Sequence, residues 1–360
     1  MSCYSQISGV AVVGTQEKGG IRALIDNHIE AGVYEGYEHY FIASHDEVGL
    51  FKRIYLVLSS LVTLISLIIR RKVSVCYLHG SMKGSIYRKS VFLFMCQLLG
   101  CKVIFHLHGS EFAQVHQSSS FIYQNLVRYI LNKSDNVFVL SAYWKTYVET
   151  LSVNAKIQVI SNFPSPVFET LYDTRKYDKK LIMELLFLGR IGQRKGIYDL
   201  IEAVELLKTK GIKGFHINVG GNGEVDKLRE MVKQKNLAEY FNVMGWVTGE
   251  RKYQLLKECD LLLLPSHNEG LPIAILVALS AGLAVLSTNV GGIPDVISDE
   301  RYGILVEPGQ PDALADAISK YLCTDGLIES VARNSRQLYD IEFSSKTNVK
   351  LIRNIIDDLT

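Results

Sequence analysis

Between Glu47 and Glu111 the 360-residue chain carries no acidic residue, while nine basic ones fall between Lys52 and Lys102. Residues 1–165 therefore hold 15 Lys+Arg against 10 Asp+Glu, whereas the remainder holds 24 against 27, an asymmetry hidden in a net charge of only +2. Such a basic surface attracts anionic lipid headgroups or a phosphate-bearing acceptor. Cysteine is scarce too: Cys3, Cys76, Cys96, Cys101, Cys259 and Cys323 lie without zinc-ligand spacing, which suits buried thiols in a reducing cytoplasm. No basic n-region precedes the opening residues, and Ser5, Gln6 and Gly9 interrupt them, so no signal peptide is expected. The longest apolar run, Ile54–Ile69, has sixteen residues, short of the roughly 20 that a spanning helix needs. Flanked by Arg53 and by Arg70-Arg71-Lys72, it reads either as a buried helix on a sheet or as a helix lying in a membrane surface; the two agree if it is only partly covered.

What is present is a globular α/β pattern. Hydrophobic residues at 48% and charged residues at 21% exclude a disordered chain, and 360 residues suit two domains. In the first half, branched apolar runs at Val10–Val13, Tyr40–Ile42, Val73–Leu78, Lys102–Leu107, Asn136–Leu140 and Ile157–Ile160 predict strands. Segments 50–71, 85–99 and 121–133 between them predict crossover helices on a parallel sheet. The alternation pauses at Asn162-Phe163-Pro164-Ser165-Pro166 and the polar run that follows, then resumes with strands at Glu184–Leu188, Phe215–Val219 and Phe241–Met244 and helices at 196–209, 223–235 and 250–258. This predicts two Rossmann-like domains, 1–165 and 181–341, joined by a linker at 166–180. Apolar residues at helical spacing in 342–360 predict a terminal helix, either crossing back onto the first domain or serving a dimer.

The stretch Leu261–Gly292 is the most telling. It reads as a buried strand, a Ser266-His267-Asn268-Glu269-Gly270 turn, a helix opened by Pro272, a short strand and a Gly291-Gly292 loop. That order sets Glu269 and unpaired backbone N–H groups at the carboxyl end of a parallel sheet, where open α/β folds bind ligands, and a helix N-terminus there favours anions. Proline suits a first helical position. Upstream, Phe187-Leu188-Gly189-Arg190 ends a strand and Lys195-Gly196 opens a helix, so two cations flank one turn where they could grip a diphosphate without a metal.

Glu269-Gly270-Leu271-Pro272 with Gly291-Gly292-Ile293-Pro294, and the run from Gly189-Arg190 to Lys195-Gly196, resemble the donor-binding segments of family 4 glycosyltransferases of the GT-B fold. The resemblance implies two Rossmann-like domains facing across a cleft, with the C-terminal helix crossing back to the first. It gives Glu269 the hydroxyls of the donor sugar, Arg190 and Lys195 the diphosphate, and Gly189, Gly221, Asn268, Gly270, Leu271 and Pro272 places in the donor site. Trp246 matches a base-contacting position, with plain packing as the other reading. His108, in Phe105-His106-Leu107-His108-Gly109-Ser110-Glu111, matches the histidine that faces the donor sugar, while His106 packs or exchanges roles with it. Gly19 and Gly20, with Lys18 and Arg22 nearby, resemble the family's first glycine loop. His79, Lys83 and Glu111 fall on the acceptor side. One departure is specific: the family's second glutamate, which serves the donor ribose, is Val277 here.

The expected activity is transfer of a hexose-type sugar, with retention, from a UDP- or GDP-sugar to a glycan acceptor, lipid-linked through a polyprenyl diphosphate. It would occur at the cytoplasmic face of the membrane, as in bacterial O-antigen, capsule or lipopolysaccharide assembly. No Asp-x-Asp metal motif stands at the expected turn, so the expectation is metal-independent chemistry with no cofactor and no nucleic-acid partner. A non-catalytic nucleotide-sugar-binding subunit, to which Val277 lends support, and a sugar-nucleotide epimerase are the alternatives; the oligomeric state is not readable.

Overall fold

A computed structural model describes residues 9–17, 19–152, 154–177 and 181–360. Cys3, Lys18 and linker positions 178–180 lie outside the described residues. The chain divides into two compact units, Met1–Asn162 with Ser345–Thr360, and Phe163–Ser344.

The first unit is built on a six-stranded parallel sheet: β1 (Gly9–Gly14), β2 (His39–Ala43), β3 (Val73–Gly80), β4 (Lys102–Leu107), β5 (Asn136–Val139) and β6 (Ile157–Val159), in the order β2-β1-β3-β4-β5-β6. The second repeats the plan with β7 (Met183–Leu188), β8 (Phe215–Gly220), β9 (Phe241–Gly245), β10 (Leu261–Leu264), β11 (Ala284–Thr288) and β12 (Ile304–Val306), in the order β12-β11-β10-β7-β8-β9. These strands are nearly continuous Val, Ile and Leu because helices cover both faces of a parallel sheet and leave no polar face; all four leucines of β10 are fully buried. Strand order reverses between β1 and β3 in one unit and between β7 and β10 in the other. At such a switch point adjacent connections depart to opposite faces and leave a crevice at the strands' carboxyl ends.

Helix Leu50–Ile69 buries only Ser60, Leu64 and Ile68, while Phe51, Tyr55, Leu58 and Val62 stand exposed. It is partly covered, the condition under which the two readings of that segment are compatible, and at 20 residues it is long and apolar enough to cross a membrane by length and composition. Pro272 is a correction. It sits at the N-cap of helix Ile273–Ser280 with ψ 121°, one position before the helix begins, so its fixed φ ends the preceding turn and does not start the helix.

Helix Ser345–Leu359 belongs to the first unit. It lays Ile352, Ile355 and Ile356 into that unit's interior, and at its rim Tyr37 Oη donates to Asp357 while Arg353 pairs with Glu35 at 3.4 Å. Ile356→Ala is expected to destabilise the first unit by about 2–5 kcal/mol, the usual cost of hollowing a buried site. The reporter is the fluorescence of Trp144, buried in that unit, during urea unfolding; an unchanged midpoint would contradict this packing.

Candidate functional site

At the switch point of the second unit, the turn after β7 and the turn after β10 meet through side chains. Lys195 Nζ hydrogen-bonds Glu269 Oε1, and Ser266 Oγ donates to the same oxygen at 2.7 Å. Arg194 lies 3.9 Å from Glu269 Oε2 and donates to the Asn268 carbonyl at 3.1 Å. Glu269 is only 5% exposed, so a buried carboxylate is neutralised by a lysine that is itself largely covered. One partner without the other would leave an uncompensated charge.

The backbone that allows this is specified by glycine at two places. Gly196 has φ +69°, and a Cβ there would sit 1.7 Å from the Pro265 carbonyl oxygen; Gly291 has φ +56°, and its Cβ would fall 1.8 Å from the Glu269 carbonyl oxygen. Only a residue without a side chain lets those loops touch. The Gly292 N–H then donates to the Gly270 carbonyl at 2.7 Å, and Thr288 Oγ1 donates to the Ser266 carbonyl at 2.5 Å, pinning the Glu269 turn from β11. His267 Nε2 meets Asp199 Oδ2 at 2.6 Å and fixes the same turn to helix Ile197–Thr209.

Helix Ile273–Ser280 runs away from this turn. Its far end is closed by two guanidinium groups: Arg336 donates to the Ser280 carbonyl, and Arg175 donates to the Ala281 carbonyl at 2.7 Å. Cations at a C-terminus complement the helix dipole and leave the positive N-terminal end facing the Glu269 turn.

Other expected donor residues are distributed around this centre. Gly189 follows β7, and the Gly221 N–H donates to the Gly245 carbonyl at 2.7 Å, joining the β8 and β9 turns. Trp246, next in sequence, is 55% exposed, an open ring at the carboxyl edge of the sheet. Leu271 is buried beside the turn. Arg190 is exposed and lies in the field of Glu224, apart from the Lys195–Glu269 pair. Val277 is 1% exposed, inside the apolar body of its helix. Sequence reading passed over Arg194, Ser266, His267 and Asp199; the turn composition marked their neighbourhood, but their pairing depends on strands far apart in sequence.

In the first unit, His106 on β4 and His108 just past its end have ring centroids 4.0 Å apart, and His106 is the buried one, held by Tyr77 Oη at its Nδ1 (2.9 Å). His108 Nε2 and His79 Nδ1 are hydrogen-bonded at 3.0 Å. Ligand atoms of His79, His106 and His108 lie within 4.8 Å of one another, a spacing that could hold a metal ion, although these hydrogen bonds already engage several of their nitrogens. Burial, followed by the charges of His28 and Lys89, pulls the His108 pKa down to about 3; burial does the same to His28, and holds His79 and His106 well below 6.5. All four are therefore neutral near pH 7. Gly19 and Gly20 open helix Gly20–Glu30, Glu111 stands at the N-cap position of helix Phe112–Ser118 without a capping hydrogen bond from its side chain, and Lys83, with φ +50°, precedes helix Gly84–Leu98 while its N–H donates to Tyr123 Oη at 2.9 Å.

Two family descriptions match in series: "Glycosyltransferase Family 4" over residues 20–164 and "Glycosyl transferases group 1" over residues 173–338. The chain is 33% identical over 153 residues to the 2-deoxystreptamine N-acetyl-D-glucosaminyltransferase of Niallia circulans, covering 42% of this chain and 39% of that one. It is 27% identical over 186 residues to the putative colanic acid biosynthesis glycosyltransferase WcaL of Escherichia coli, covering 49% and 45%. Each match thus spans less than half of the relative's length. The fold is that of the Anabaena protein HepE, solved with UDP-glucose: TM-score 0.73 over 97% of this chain and 99% of that one, at 17% identity. This is the GT-B architecture.

The depressed histidines predict acid sensitivity. As pH falls from about 6.5 toward 3, the unfolded chain binds protons that the folded histidines refuse, so first-unit stability declines over that window. The Trp144-reported urea midpoint should be lower at pH 5 than at pH 7.5; no difference would show that the imidazoles are protonated in the folded state.

Proposed function

Because the chain belongs to the glycosyltransferases of group 1 and family 4, we propose that it transfers a hexose-type sugar, with retention, from a UDP- or GDP-sugar to a glycan acceptor in the assembly of a surface polysaccharide. The observation that carries this reading is the buried Lys195–Glu269–Ser266 cluster at the β7/β10 switch point. UDP-glucose in HepE supports the donor class, and the colanic acid relative supports the polysaccharide. The basic stretch 48–110 and the exposed apolar face of helix Leu50–Ile69 support a lipid-linked acceptor met at the cytoplasmic face of a membrane.

In this reading Glu269 accepts hydrogen bonds from donor hydroxyls and fixes the ring. Lys195, already beside it, and Arg190 offset the charge that grows on the departing diphosphate, a preorganised electrostatic role. The bond from the anomeric carbon to the diphosphate breaks through an oxocarbenium-like state. The acceptor hydroxyl then forms its bond on the same face and passes its proton to the oxygen of the departing diphosphate. Trp246 offers an open face to the base. No metal is required where cations serve the diphosphate.

The test is transfer of labelled sugar from UDP- and GDP-donors to a lipid-linked glycan. Activity is expected to survive EDTA and to fall at least a hundredfold in Glu269→Gln. Abolition by EDTA with rescue by Mn²⁺ would contradict the metal-free mechanism, and full activity of Glu269→Gln would contradict the role of the carboxylate.

Val277 favours a second reading in which donor binding is weak. Each hydrogen bond to a charged acceptor contributes about 1.5–3 kcal/mol, so Val277→Glu is expected to tighten UDP binding roughly tenfold while changing the rate at saturating donor much less. In the absence of nucleotide the same variant should melt lower, because a carboxylate at a 1% exposed position is desolvated. Calorimetric titration with UDP reads the first effect; equal affinity would rule out a ribose role for position 277.

A further inference from the structure

The switch point of the first unit carries a site of its own. A cavity of about 350 Å³ opens at the carboxyl ends of β1, β2 and β3, lined among others by His45, His79, Ser81, Ser85, Arg88 and Lys89. Lys89 is only 2% exposed, and its ammonium donates to two neutral oxygens, the Val13 carbonyl at 3.1 Å and Ser44 Oγ at 2.5 Å. No carboxylate pairs with it among the described residues. An ammonium has three donors, and a buried cation without an anion is costly.

Its surroundings add positive charge. Arg88 also lines the cavity, and its buried Nε has no hydrogen-bond partner among the described residues; the same is true of His45 Nδ1 and of Nε2 of His79, which is 2% exposed. When His108 Nε2–H donates to His79 Nδ1, the His79 proton resides on Nε2 and is left for another acceptor. Helix Gly84–Leu98 begins at the cavity wall, with Ser85 Oγ accepting from the Ser81 N–H at 3.1 Å. Glu17, 3.5 Å from His45 Nε2, is the one acidic residue among the described lining. Burial, then the charge of Arg88, lowers the Lys89 pKa to about 7, the mark of a cation lacking its counter-ion.

We infer that this cavity binds the phosphate or diphosphate group of the acceptor, with Lys89 and Arg88 as charged contacts and His79 as a hydrogen-bond donor. That the anion belongs to an acceptor rests on the transfer reading above; that the cavity takes an anion does not. The volume suits a diphosphate with the first atoms of what it carries, and two cations with hydroxyls and a helix N-terminus match its oxygens.

The experiment is calorimetric titration of the full chain with inorganic pyrophosphate at constant ionic strength, with saturating UDP present to occupy the second unit. Wild type is expected to bind, and Lys89→Met and Arg88→Gln each to bind at least tenfold more weakly, as loss of a charged hydrogen bond implies, while Lys195→Met binds as wild type does. Arg88 is only half-buried, so its variant decides the matter even if Lys89→Met does not fold. Absence of binding to wild type, unchanged binding by both variants, or loss through Lys195→Met alone would overturn the site. Geranyl diphosphate in parallel identifies the source: tighter binding than pyrophosphate supports a lipid-borne diphosphate, and equal binding supports a soluble phosphate at the same site. Failure of UDP to bind, with pyrophosphate still bound through Lys89, would sink the donor assignment alone.

Discussion

The second unit is organised by one contact, the ion pair between Lys195 and Glu269. Its partners come from turns 74 residues apart, one after β7 and one after β10, and both side chains are withdrawn from water. Taking two charges out of water is expensive, and a buried pair is seldom retained for stability alone. What the pair does is hold a carboxylate and an ammonium in fixed positions at the edge of the sheet. Two glycines that tolerate backbone contact, the Thr288 and His267 hydrogen bonds, and the Arg175 and Arg336 guanidinium groups at the far end of helix Ile273–Ser280 all support that placement.

The same construction appears in the first unit with the chemistry reversed. At the β7/β10 switch point the cations are matched by Glu269. At the β1/β3 switch point Lys89 and Arg88 face a cavity with no matching carboxylate beyond Glu17 among the described residues. The first arrangement is complete, so under the proposed function it exchanges partners to receive a sugar. The second lacks an anion, which is what a site for one looks like. Neutral histidines line the adjacent ends of β3 and β4 and add hydrogen-bonding nitrogens without further charge.

Much of this was legible in the chain. Eleven of the twelve strands among the described residues coincide with apolar, branched runs picked out in the sequence, while β12 (Ile304–Val306) was passed over; Glu269, Lys195 and His108 stand at or beyond strand ends, where turn residues betray them. Pro272 misled by one position because proline suits both the N-cap side and the first turn. The pairing of Lys195 with Glu269 was out of reach, since strand order, not spacing, makes β7 and β10 neighbours. So was the Lys89 cavity: a lysine in a run of apolar residues looks like a solvated charge until β1 and β2 close over it. Helix Leu50–Ile69 shows the opposite limit, where the sequence admitted two environments and the structure shows only that one side of the helix is covered.

A double-mutant cycle on Lys195 and Glu269 tests the account most directly. UDP-glucose affinity would be measured for wild type, Lys195→Met, Glu269→Gln and the double variant. If the pair acts as one unit in holding the donor, the two losses are non-additive, with a coupling energy of about 1 kcal/mol or more. Losses that simply add would show two independent residues and contradict the central claim.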